Sequence, residues 1–173
     1  MKKGLLILYN FFEDCEALVT RALLKKENFE VISATVNESL NVFSAQKLQV
    51  KADIHIDKVK LNEYDFLILP GGPYVQMLFE KNDDSLEKIF HIIKYFAKNE
   101  KIIGAICAAP SFLGKLDLLK KHKFTCYPGY QKYIFDGFYY PEKSSVTSGN
   151  FVTARDPKTV FDFTFHLLKK LQN

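Results

Sequence analysis

The chain of 173 residues has no tryptophan, only three cysteines and only four histidines. Cys15, Cys107 and Cys126 are odd in number and show no C-x-x-C spacing, which excludes a disulfide scaffold or a zinc knuckle as the basis of the fold. His55, His91, His122 and His166 are spread without a metal-ligand spacing, and none follows the end of an apolar strand segment. No metal centre is expected, and no cysteine–histidine pair of the papain kind. No apolar run is long enough to span a bilayer, and the first one, Gly4 to Tyr9, is too short for a signal-peptide core. A cytoplasmic protein with no membrane partner is expected. Blocks of like charge are missing as well: Lys25-Lys26, Lys120-Lys121 and Lys169-Lys170 read as basic helix ends, so nucleic acid is not an expected partner. The formal charge of +4 gives only a long-range bias toward small anions. With no repeats and no low-complexity linker, residues 1–173 are expected to form a single domain.

What is present is a series of apolar strands and amphipathic helices. Gly4 to Tyr9 reads as a strand buried on both faces. Residues 13–26 read as a helix with an acidic start, and residues 29–34 as the strand that completes a βαβ unit. Short segments around Val42-Phe43, Leu48 to Val50 and Asp53 to Ile56 read as a hairpin or a pair of edge strands. Phe66 to Leu69 is a buried strand that ends at Pro70-Gly71-Gly72-Pro73, where glycine permits a close turn with outward N–H groups. Asp83-Asp84-Ser85 opens a long amphipathic helix, and the strand Lys101 to Ile106 follows it. A helix over Ser111 to Leu119, a short strand over Phe124 to Tyr127, an aromatic loop over 131–140 and a hairpin over 144–155 come next. Asp156 then caps a terminal helix with Pro157 at its first position. This order describes an α/β fold, a three-layer α/β/α sandwich with a mostly parallel central sheet and a ligand site at the carboxyl ends of its strands.

Cys107 stands where the last central strand turns toward a helix. Such a corner pushes the sulfur outward, and a helix start favours the thiolate, so Cys107 is a candidate nucleophile or oxidation sensor. A buried structural cysteine is the plainer alternative. The N–H groups of Gly72 and Ala108 could converge on one oxyanion, although Gly71-Gly72 also makes an ordinary strand exit. Glu13, Asp14 and Glu16 each follow the first strand closely enough to reach the same end of the sheet. Position along the helix does not choose between them, and helix-start acidity alone would explain all three.

Taken together, Glu16, Leu69-Pro70-Gly71-Gly72 and Gly104-Ala105-Ile106-Cys107-Ala108-Ala109-Pro110 resemble the ThiJ/PfpI family of the class I glutamine-amidotransferase-like superfamily, nearest its human parkinsonism-associated deglycase branch. The likeness extends over Lys123 to Pro128 and Thr153-Ala154-Arg155. It implies a flavodoxin-like homodimer in which Cys107 is the reactive, easily oxidised cysteine and Glu16 the protonated carboxyl against its sulfur. Gly72 and Ala108 would be the oxyanion donors, with Gly71, Tyr127 and Arg155 around the pocket. No cofactor is implied, whether metal, nucleotide or glutathione. Tyr127 stands where that branch carries a histidine; tyrosine is a poor base near neutral pH, which leaves Glu16 as the better proton shuttle. Ala108 in place of a histidine after the cysteine argues against peptidase activity. The implied functions are three: a cofactor-independent glyoxalase or deglycase acting on a small-molecule aldehyde, a redox-sensing stress protein or chaperone, and another small-molecule hydrolase or amidase whose pocket is shaped by Tyr127, Tyr130, Tyr133 and Phe135.

Overall fold

The computed structural model describes residues 1–81 and 84–173. The first strand, β1 (Lys3–Leu8), is followed by helix α1 (Asp14–Lys26) and strand β2 (Glu30–Thr35). Three short strands come next: β3 (Asn41–Phe43), β4 (Gln49–Lys51) and β5 (Ile54–His55). The centre of the chain holds β6 (Phe66–Leu69), α2 (Tyr74–Lys81), α3 (Asp84–Lys98), β7 (Ile102–Ile106) and α4 (Pro110–Lys115). The last third carries β8 (Lys123–Phe124), β9 (Phe138–Tyr139), β10 (Ser145–Ser148), β11 (Phe151–Ala154) and α5 (Val160–Gln172).

Seven strands form one sheet in the order β10-β11-β7-β6-β1-β2-β5, and every neighbouring pair is parallel except β10 with β11. Helices flank this sheet in a flavodoxin-like α/β arrangement. The β1-α1-β2 and β6-α3-β7 units step away from the sheet centre in opposite directions, so right-handed crossovers carry α1 and α3 to opposite faces. α1 packs on α5 over one face, and α3 lies against β6 and β7 on the other. All four side chains of β6 are buried, as a strand covered on both faces requires. Burying each Leu, Ile or Phe there contributes about 2 kcal/mol. The strand order reverses between β1 and β6, and a crevice opens there at the carboxyl ends.

Several local expectations need correction. The segment over 37–59 supplies both a hairpin, β3 with β4, and an edge strand, β5. α2 goes unforeseen, because Pro70 to Pro73 reads as a turn and masks the apolar stripe of Tyr74, Val75 and Leu78 that the helix buries. The helix placed over Ser111 to Leu119 is the shorter α4: Asp117 turns left-handed, with φ 55°, and the N–H of Leu118 closes back on the Leu113 carbonyl. β8 pairs with β9 in a separate small sheet, so part of the expected aromatic loop is a strand. Asp84 opens α3, while Asp83 lies outside the described residues. Asp156 and Pro157 begin a 3-10 turn that leads into α5.

Candidate active site

Because β6 lies between β1 and β7, the segments leaving these three strands meet at one end of the sheet. After β1 the chain bends through Phe11, at φ 71°, and docks on the exit of β6 through a hydrogen bond from the Glu13 N–H to the Gly71 carbonyl, 2.9 Å long. Gly72, at φ 126°, allows this contact: a Cβ there would lie 2.4 Å from the Phe11 carbonyl oxygen and 2.8 Å from the Glu13 nitrogen. The docked bend carries the start of α1 over the end of β7. Glu13 caps that helix, accepting the Glu16 N–H at 2.8 Å.

The three acidic residues that position along the helix does not separate take different places in the fold. Asp14 turns away and accepts the Ser44 hydroxyl at 2.6 Å. Glu13 is half-buried and borders a cavity. Glu16 is 0% exposed, and its Oε2 accepts the Gly71 N–H at 2.6 Å. Since Oε2 is committed as an acceptor, a carboxyl proton belongs on Oε1, which has no oxygen or nitrogen partner among the described residues. Burial first, and then the charge of Glu13, push the Glu16 carboxyl up to about 8. The carboxyl is roughly 90% protonated near pH 7 as a result.

Cys107 sits at φ 64°, a left-handed conformation that costs a β-substituted residue on the order of 1 kcal/mol. The corner is held by hydrogen bonds from the Cys107 N–H to the Ala154 carbonyl, 2.9 Å, and from the Tyr127 N–H to the Cys107 carbonyl, 2.8 Å. The side chain interacts with the Glu16 carboxyl on one side and retains 8% exposure toward the cavity on the other. Contrary to the expectation from a helix start, the thiol lies well above its ordinary range. Burial is the main cause and the Glu16 charge the next, while the Ala108 N–H acts against both. α4 has only six residues and begins at Pro110, so its dipole has little to offer Cys107.

The cavity has a volume of about 530 Å³. Gly72, Cys107 and Ala108 border it, and α2 contributes Gln76, Met77 and Glu80. Tyr127 and Tyr130 line it from the segment after β8, so two of the four expected aromatic residues take part. Tyr133 and Phe135 do not line it, and Phe135 is 81% exposed. Arg155 does not line it either: its guanidinium is held by Asp156 at 2.9 Å and by the carbonyls of Pro141 and Glu142. Gly71 lies behind the thiol, where a Cβ would stand 2.7 Å from the Cys107 Cβ and 2.8 Å from the Ala108 nitrogen. Neither atom is a flexible end. Gly71→Ala is therefore expected to destabilise the fold by about 2 kcal/mol, a drop of roughly 4–8 °C in Tm. It should also change the rate at which iodoacetamide labels Cys107, and an unchanged Tm with an unchanged labelling rate would contradict this packing.

A family model for DJ-1/PfpI matches residues 2–170. The chain belongs to the DJ-1/PfpI family, also called ThiJ/PfpI, and its relatives agree with the DJ-1 branch. Protein DJ-1 homolog B of Arabidopsis thaliana is 31% identical over 159 residues, covering 91% of this chain and 35% of the plant protein. The chain thus spans little more than a third of the plant relatives it matches. An uncharacterized protein of Staphylococcus aureus is 31% identical over 172 residues, 99% of each chain. Among solved structures, that of oxidized Toxoplasma gondii DJ-1 superposes with a TM-score of 0.86 at 28% identity, covering 99% of this chain and 91% of the parasite chain.

Proposed function

We propose that the protein is a cofactor-independent glyoxalase or deglycase-like enzyme that converts small 2-oxoaldehydes, with Cys107 as nucleophile and Glu16 as proton shuttle. The observation that carries this reading is the pairing of a cavity-facing thiol on a left-handed corner with a fully buried carboxyl held at about 8. In the working state the pair shares one proton. As sulfur attacks the aldehyde carbon of methylglyoxal, that proton resides on Glu16 and a C–S bond forms. The Gly72 and Ala108 N–H groups hold the developing alkoxide, which takes the proton from Glu16 to give a hemithioacetal and leaves Glu16 as a carboxylate. Glu16 then removes the proton from the former aldehyde carbon and one is returned to the neighbouring carbon, giving a lactoyl thioester. Water hydrolyses this thioester, releasing lactate and the thiol. The net change is addition of one water, with no electron donor or acceptor. Tyr127, beside the cavity, can donate a hydrogen bond to the substrate's ketone. Pure protein incubated with methylglyoxal and no added thiol should yield lactate, and a preparation that yields none sinks the proposal.

A second reading, peroxide sensing, is favoured by the same shared proton. Burial and the Glu16 charge hold the resting Cys107 thiol high, but the Glu16 carboxyl beside it ionises at about 8 and can then take the thiol proton as sulfur attacks peroxide at the cavity. Cys126 is 0% exposed and among the described residues has no such carboxyl acceptor, and the Glu13 charge raises the exposed Cys15 thiol. Hydrogen peroxide is therefore expected to oxidise Cys107 first, one equivalent giving the sulfenic acid and a second the sulfinic acid, each with loss of water. Peptide mass spectrometry after mild treatment checks this. Modification of Cys15 ahead of Cys107 would count against it.

A further inference from the structure

The net charge of +4 points toward anions, yet the cavity over Cys107 carries the opposite sign. Glu13 and Glu80 border it, and among the described residues no lysine, arginine or histidine does. Three cations on neighbouring segments are engaged elsewhere. Lys115 lies over the rings of Phe79 and Tyr133, and Lys132 over Tyr133, neither ring bordering the cavity. Arg155 is bound by Asp156. Glu13 is half-buried, so solvent screens its charge only in part. Glu80 accepts the Gln76 side-chain amide at 2.8 Å, which fixes its carboxylate without neutralising it. Tyr127 and Tyr130 add two aromatic rings to the lining, residues of the kind that attract cations.

We propose that Glu13 and Glu80 make this cavity select its aldehyde by charge, admitting neutral and amine-bearing 2-oxoaldehydes and rejecting those with a carboxylate or phosphate. The substrate class rests on the reading of Cys107 as the group that meets the aldehyde. The charge preference itself belongs to the cavity and can be measured without turnover. Local carboxylates on a low-dielectric wall outweigh a distant surplus of lysines, because screening removes most of the latter within about 10 Å at ordinary salt.

The test uses the full chain carrying Cys15→Ser, labelled with two methanethiosulfonate reagents of similar size, one ending in trimethylammonium and one in sulfonate. Each forms a mixed disulfide with Cys107 and releases methanesulfinate, and each rate is divided by its rate on 2-mercaptoethanol. The corrected rate ratio should favour the cation by roughly tenfold. Glu13→Gln with Glu80→Gln keeps both hydrogen-bond acceptors and should bring the ratio close to one. A ratio at or below one in the parent, or one unmoved in the double variant, overturns the proposal. Turnover gives a second readout: kcat/KM for neutral methylglyoxal should exceed that for anionic 4,5-dioxopentanoate by a similar factor, and the double variant should narrow the gap. Protein that shows the labelling ratio but forms no hydroxyacid keeps the charge selection and loses the catalytic reading. Protein that forms lactate with no labelling ratio does the reverse.

Discussion

Replacing Cys107 by serine is expected to remove lactate formation from methylglyoxal, lowering kcat/KM by on the order of 10³-fold or more. Serine is close in size, so the left-handed corner and the hydrogen bonds to Ala154 and from Tyr127 persist, and a loss of fold does not confuse the result. What changes is acidity: a hydroxyl cannot pass its proton to a carboxyl at about 8 at any useful frequency. The parent should also show a defined pH profile. Below about 8 the pair carries a proton on both partners and sulfur has no acceptor for its own. From neutral pH downward kcat/KM should therefore fall about tenfold per pH unit, and above about 8 it should level off. A flat profile from pH ~6 to ~8 would remove the shared-proton account.

The second large effect is on stability, and its sign is opposite to what loss of a buried hydrogen-bonded group ordinarily brings. The Glu16 carboxyl goes from 4.5 in a solvated chain to about 8 in the fold. Between those values the folded state holds a proton that the unfolded state has released, so folding stability declines as pH rises through this window. The slope approaches 1.4 kcal/mol per unit. The burial of Glu16 is best tolerated below its unfolded value, and by about pH 8 it costs on the order of 4 kcal/mol. Glu16→Gln keeps an oxygen for the Gly71 N–H and is neutral throughout. Urea unfolding should show the variant and the parent alike near pH ~4.5. The variant should be the more stable by a margin that widens to several kcal/mol near pH ~8, while its catalysis is lost. Other titrating groups are common to both proteins and cancel in the difference. Parallel stability curves would mean that Glu16 is not held protonated by the fold.

Much of the framework was legible in residue order. Short apolar runs at Gly4 to Tyr9, Phe66 to Leu69 and Ile102 to Ile106, bounded by turn residues, read as strands covered on both faces, and the helical spacing between them points to an α/β fold. Short elements were less readable. β8, β9 and α4 have two to six residues each and are set by what they pack on. α2 was hidden by the glycines before it. Of the candidate site, Cys107, Gly72 and Ala108 were visible because a strand-to-helix corner has a local signature. Arg155 was drawn in by resemblance, and in the fold it ties the loop before β10 to Asp156. Glu80 gave no signal at all, since a glutamate on an exposed helix face looks like any other.

Local pattern alone therefore determined the layers, the central strands and the corner that holds the thiol, because periodicity and turn chemistry act over a few residues. Which acid meets that thiol, and what sign of charge lies in front of it, depended on the sheet order that sets β6 between β1 and β7. That order buries Glu16 and leaves Glu13 at the cavity edge. Desolvation and Coulomb interactions act through space, so no reading of neighbours along the chain could have separated the two.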